Sequence, residues 1–210
     1  FSMAAWYTYS FNKYNPRNRM RNTHSMRLSL EMAGNILNAG SAITGADKDE
    51  NGRYKVFGIN YAQFVKADVD ISKGVVLDSR NKVAFHLGVG VAVPYGNAKM
   101  MPFERRYFSG GANSVRGWSV RELGPGRMPI IKNETTFVTQ AGDIRLDVNI
   151  EYRTKLFWKF EMAAYVDGGN IWTIRPYEDQ PKGNFDFARF YKEIALSYGL
   201  GLRLDFDFFL

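Results

Sequence analysis

The chain contains no cysteine, which excludes disulfides and thiolate metal sites alike. Histidine is nearly as scarce: His24 and His86 are the only two, which argues against an imidazole-based metal centre, and no cofactor is expected. No apolar run approaches the ~18 residues of a transmembrane helix, and mean hydropathy is −0.32. That absence leaves a membrane β-barrel open, because alternating strands average to mild polarity. A nucleophile–base pair is missing too, so the chain is not read as an enzyme of the glycosidase or protease kind. Phe1 reads as mid-strand, without the regions of a signal peptide, and the sequence is expected to begin inside a longer protein.

What is present points to β structure. Of 210 residues, 45% are hydrophobic, 15% aromatic and 20 are glycine, a balance that suits strands more than helices and one domain or part of a larger one. The net charge of +7 raises nucleic acid as a partner. The lysines and arginines are scattered through loops and strand interiors, however, with no helical stripe or RNA-binding signature. The charge is therefore assigned to anionic lipid headgroups, and no nucleic acid is expected.

Period-two alternation is clearest at 83–93, where Val83, Phe85, Leu87, Val89, Val91 and Val93 share a face. It recurs at 144–152, with Arg145, Asp147, Asn149, Glu151 and Arg153 opposite Ile144, Leu146, Val148, Ile150 and Tyr152. Segments 157–168 and 194–206 repeat the split, and 2–11, 24–32 and 61–71 do so more weakly, giving seven strands. A soluble barrel or sandwich with its apolar face inward would produce the same alternation. Three features favour the inverse arrangement. The strands run about 9–13 residues, close to the ~9–11 of a tilted membrane strand. Connections alternate short (72–81, 154–156) and long (35–58, 96–141, 169–193), as in outer-membrane barrels. Tyr61, Tyr95, Tyr152, Trp158 and Trp172 stand near strand ends, as interfacial girdles do. The fold class expected is all-β: part of a transmembrane antiparallel barrel, apolar face to lipid and charged face to lumen.

The stretch 102–126 carries four arginines, four aromatics and five glycines between two strands. Gly110, Gly111 and Gly117 allow a tight fold-back that brings Arg116 to a tip beside Val115 and Trp118. A guanidinium stays charged in confinement, so such a finger needs a carboxylate or carbonyl to receive it. Arg105, Arg106 and Arg121 read equally as lumen contacts or as solvated loop charges, Gly199 and Gly201 as a bend in the wall, and Asp143, Asp147 and Glu161 as a possible acid cluster.

Gly110-Gly111, the run 114–118 (Ser-Val-Arg-Gly-Trp), Arg121 and the run 123–125 (Leu-Gly-Pro) resemble the sixth extracellular loop of the BamA/TamA outer-membrane barrel superfamily. The runs 167–172 and 198–209 most resemble the TamL-like proteins of Bacteroidota. The resemblance spans roughly residues 60–210; the first 60 match in strand pattern alone. It implies sixteen strands, of which these seven would be about the eighth to fourteenth, with periplasmic domains before them and two closing strands after. It also implies that Arg116 enters the lumen and pairs with Asp167, with Glu151 as second choice. Strand parity independently places both carboxylates on the lumen face, but a turn at 154–156 would set them roughly 25 Å apart. The locked loop would either brace the wall while the barrel handles another protein or act as a plug that keeps the pore shut.

The function implied is assembly or translocation of outer-membrane proteins in a Gram-negative cell. Its partners would be unfolded or nascent outer-membrane proteins, accessory subunits, the lipid bilayer and lipopolysaccharide. The alternatives are a passive pore or uptake barrel, and a soluble ligand-binding barrel that would purify without detergent.

Overall fold

The structure, a computed structural model, describes residues 3–13, 21–50, 52–129 and 140–204. Strands β1 (Ala4–Lys13) and β2 (Thr23–Ala33) are followed by helix α1 (Asn35–Ile43) and a small hairpin of β3 (Lys55–Val56) and β4 (Ile59–Asn60). Then come β5 (Phe64–Val76), β6 (Asn81–Pro94), β7 (Ile144–Lys155), β8 (Phe160–Trp172) and β9 (Ala195–Leu204). Seven of these make one sheet in the order β1-β2-β5-β6-β7-β8-β9, and each neighbouring pair is antiparallel. Among the described residues no helix is long and apolar enough to cross a membrane. The sheet is an up-and-down section of barrel wall, with the long connections at one end and four-residue turns, 77–80 and 156–159, at the other.

Burial runs opposite to that of a soluble protein. Leu196, Tyr198 and Leu200 on β9 are 71–86% exposed, as Phe85, Ile150 and Val166 are in smaller measure, whereas Asp147 and Asp167 are 2% and 0% exposed. The register carries the exposed apolar row across the sheet, from Tyr7 to Leu30, Phe85 to Ile150, Ile150 to Val166 and Val166 to Tyr198. An apolar face of this size requires hydrocarbon against it. The valines of 83–93 point outward, as alternation predicts.

Several boundaries differ from the sequence expectation. Strand β5 was expected at 61–71 but runs from Phe64 to Val76, because Asp78 closes a shorter turn: its carboxylate accepts the amides of Arg80 at 2.7 Å and Asn81 at 2.9 Å. The β7–β8 turn falls at 156–159 instead of 154–156, with Trp158 at φ 51°. Strand β8 continues through Gly168 and Gly169 to Trp172. A Cβ on Gly169 would sit 2.5 Å from the Leu146 carbonyl and 3.1 Å from Val115, so glycine there makes room for the loop and does not break the strand. Helix α1 and the β3–β4 hairpin occupy a stretch expected to be plain loop. The expectations for Ser2 and for 205–209 lie outside the described residues.

The aromatic belt holds at the short-turn end, where Tyr152 is 39% and Trp158 78% exposed. At the other end Tyr61 and Trp172 are buried at 1%, because the loops cover them: Tyr61 donates to Asn38 and Trp172 to Glu193. An apolar cluster of Ala33, Phe64, Ala92, Met101, Tyr107 and Ile171 fastens the 95–143 connection to the wall at this end.

Candidate functional site

The finger within 95–143 closes by two backbone bonds, Gly111 N–H to the Trp118 carbonyl at 2.7 Å and Trp118 N–H to the Val115 carbonyl at 3.2 Å. Gly110 and Gly111 take φ of 97° and 88°, a region that strains any residue with a Cβ. Gly117 lies so close to β9 that a Cβ would stand 2.6 Å from that of Ser197. Val115 is fully buried at the tip, while Trp118 stays half-exposed.

Arg116 reaches the wall as expected. Its Nε and Nη2 donate to the two oxygens of Asp167 at 2.7 and 2.8 Å, and its own backbone N–H donates to the same carboxylate at 3.1 Å. Nη1 donates to Glu151 as well. The guanidinium carbon stands 3.7 Å from the centroid of the Tyr165 ring, so the fork is held at its edges by carboxylates and on its face by an aromatic. The hydrogen bonds it donates to Asp167, followed by the one to Glu151, hold the Arg116 pKa further above its usual range despite opposing burial. The lock is therefore charged at every physiological pH.

The separation of roughly 25 Å between the carboxylates is overturned. Glu151 pairs with Tyr165 and Asn149 with Asp167, so the two acids are two residues apart along the wall, roughly 7 Å. Moving the turn by about three residues shifts antiparallel pairing by twice that number, which accounts for the whole discrepancy. Arg116 therefore holds Asp167 and Glu151 together.

The sequence reading missed several members of this site. Glu151 also receives Arg153 Nε at 2.5 Å and Arg203 Nη2 at 2.8 Å, so three guanidiniums converge on one carboxylate. Ser114 donates to Asp147 at 2.5 Å, and Asn149 donates to the Ser114 carbonyl at 2.6 Å. Strand β9 runs through Gly199, and a Cβ there would lie 2.6 Å from the Tyr165 hydroxyl. The inward parity shared by Tyr165 and Gly199 is the signal that could have found this stack. Gly199→Ala is expected to cost about 1–3 kcal/mol by overpacking. Combined with Tyr165→Ser, it should cost less than the sum of the two single changes, as the urea midpoints of the three variants will show.

The neighbouring arginines divide. Arg106 is buried and donates to Asp143 at 3.2 Å and Gln180 at 2.7 Å, and Arg105 pairs with Glu31 at 3.2 Å. Arg121 stays in its own loop, its guanidinium 4.9 and 4.8 Å from the rings of Phe103 and Phe108. The possible acid cluster does not form. Asp143 is engaged by Arg106 and Tyr177, Asp147 by Ser114, and Glu161 by Lys82 at 3.0 Å. Glu161 sits opposite Lys155, eight residues and roughly 26 Å from Asp147. Burial, then the Asp143 charge, pushes the Tyr177 phenol up to about 12, so it stays a donor.

A second tie runs from Tyr107, whose hydroxyl donates to Asp68 at 2.8 Å while Lys66 Nζ sits 4.2 Å from the centre of its ring. Its ring occupies the space above Gly90, where a Cβ would lie 2.5 Å away. Tyr107→Phe removes only the hydroxyl and is expected to cost about 1–3 kcal/mol, read from denaturant unfolding. Together these bonds make a crosslink across the lumen side of the sheet, from Glu31 on β2 to Asp167 on β8, with Gly117 packed against Ser197 on β9. Within it, Asp143, Asp147, Glu151 and Asp167 each accept from side chains of the loop or the wall.

A family model described as the Omp85 superfamily domain matches residues 1–209. Over 96 residues the chain is 27% identical to the outer membrane protein assembly factor BamA of Neisseria meningitidis serogroup B, a match covering 43% of this chain and 12% of that protein. Its fold is similar to the crystal structure of BamA from Haemophilus ducreyi lacking POTRA domains 1–3, with a TM-score of 0.52 at 15% identity, over 97% of this chain and 48% of that one. At that identity the structural likeness speaks to fold.

Proposed function

The chain belongs to the Omp85 superfamily, and from that membership we propose that it forms the braced part of an outer-membrane protein assembly or translocation barrel. Such barrels sit in the outer membrane, and the outward apolar face suits that location. The observation that carries the reading is the Arg116 lock: a bidentate pair with Asp167, a further bond to Glu151 and an aromatic face contact. A barrel that admits another chain must open somewhere while the rest of its wall keeps its shape, and a charge-paired finger spanning β7 to β9 stiffens the rest. The role proposed is non-catalytic. The clients would be unfolded outer-membrane proteins, recognised by backbone pairing at an open strand edge, with accessory subunits as further partners. Within the superfamily we place the chain nearest the TamL-like proteins, on the runs 167–172 and 198–209.

The test is reconstitution. Full-length protein in lipid vesicles is expected to accelerate the folding of a urea-denatured outer-membrane barrel over that in empty vesicles, measured by the gel mobility of unheated samples. Vesicles that conduct ions but leave client folding at the lipid-only rate would mean a passive pore instead.

A further inference from the structure

The connection 173–194 folds back over the lipid-facing side of the wall. Trp172 belongs to the outward row, since it pairs with Ile144, yet it is 1% exposed. Phe185 and Phe190 stand edge-on against its ring at 5.5 and 6.4 Å. Phe185 then meets Phe187 at 4.9 Å, and Phe190 meets Tyr191 at 6.1 Å. The inner rings of this ladder shield Trp172, while Phe187 and Tyr191 remain 84% and 57% exposed. They extend the open row of Leu196 and Tyr198 beyond the strand ends, at the level where acyl chains meet headgroups.

Beside this lip lies a cleft of 490 Å³ lined by Arg127, Lys182, Asn184, Asp186, Arg189 and Glu193. Both carboxylates already have partners: Asp186 takes Arg189 at 3.1 Å, and Glu193 takes the Trp172 indole N–H at 2.8 Å. Arg127 and Lys182 make no ion pair with another described residue. Backbone bonds hold the two together, with Arg127 N–H donating to the Lys182 carbonyl at 3.1 Å and Gly126 N–H to the Ile171 carbonyl at 2.7 Å. Two exposed cations, set side by side by that backbone bond next to an apolar lip, match an amphiphile whose polar end is phosphorylated.

We propose that this lip and cleft bind the phosphorylated headgroup of an anionic lipid in the leaflet at the long-loop end. Arg127 and Lys182 take the phosphate, and Phe187 and Tyr191 rest against the chains. The site is separate from the Arg116 lock and does not depend on the assembly role. It is tested by titrating full-length protein in detergent with fluorescent lipid A, a phosphorylated glucosamine glycolipid. Arg127→Glu with Lys182→Glu is expected to weaken binding about tenfold or more, for the loss of two charged contacts. Phe187→Ser with Tyr191→Ser should weaken lipid A binding several-fold and leave the weak binding of glucosamine 1-phosphate unchanged. Wild-type mobility of unheated samples shows that both variants fold. Undiminished lipid A affinity in the charge variant overturns the proposal, as does an equal loss towards phosphatidylcholine, or glucosamine 1-phosphate binding as tightly as lipid A.

Discussion

Arg116→Ala is expected to destabilise the folded barrel by about 3–5 kcal/mol, since it leaves a buried carboxylate without its counter-charge. Asp167 is fully buried, and among the described residues its ion pair is with Arg116. Arg116→Lys should recover little, because a single ammonium cannot bond both oxygens of Asp167 and also reach Glu151 with the same fixed geometry. Freed of its lock, the finger should become accessible to trypsin added outside intact cells, with cleavage at the neighbouring Arg121. A double-mutant cycle gives the sharper check. Arg116→Ala combined with Asp167→Asn should cost scarcely more than the worse single change, since both remove the same interaction. Additive losses, or a finger that stays protected in Arg116→Ala, would show that the apolar contacts of Val115 and the glycine turn hold the loop without the ion pair.

Glu151→Gln is expected to cost about 2–4 kcal/mol, less than a wholly buried network would because Arg153 and Arg203 are partly solvated. The wild-type carboxylate gathers Arg116, Arg153 and Arg203, and its neutral amide would leave three guanidiniums converging with only Asp167 and, opposite Arg203, Glu161 to offset them. Two consequences separate this from simple loss of a hydrogen bond. Raising the salt concentration should restore part of the lost stability by screening the cations. Arg203→Gln in the Glu151→Gln background should also stabilise, although the same change in wild type should be neutral or harmful. Thermal unfolding of the four proteins, followed by the mobility of unheated samples, reads both effects.

The Arg116 partners show how far residue-level reasoning reaches. Parity along 144–152 and 157–168 put Glu151 and Asp167 on the inner face, and the structure keeps them there, because side-chain direction alternates with a period of two whatever the strand's neighbours are. The glycines of the finger were equally legible, since positive φ at Gly110 and Gly111 is a local demand. Helix α1 was not legible: its nine residues end without charged caps, and a stretch between strands gave no reason to expect one. Trp172 and Tyr61 were assigned to the lipid interface from their place at strand ends, and only the loops packed over them made them interior.

Taken alone, then, the amino-acid order determined which faces are oily and which charged, and that one arginine would need a carboxylate or carbonyl. Those properties depend on a few adjacent residues at a time. The folded molecule alone decided that Arg116 meets Asp167 and Glu151 at once, that Tyr165 lies beneath the guanidinium, and that Arg153 and Arg203 share the same carboxylate. Pairing across a hairpin is the reason: every residue added to one arm before the turn slides the opposite arm by two, so contacts between strands rest on turn geometry that no strand encodes by itself.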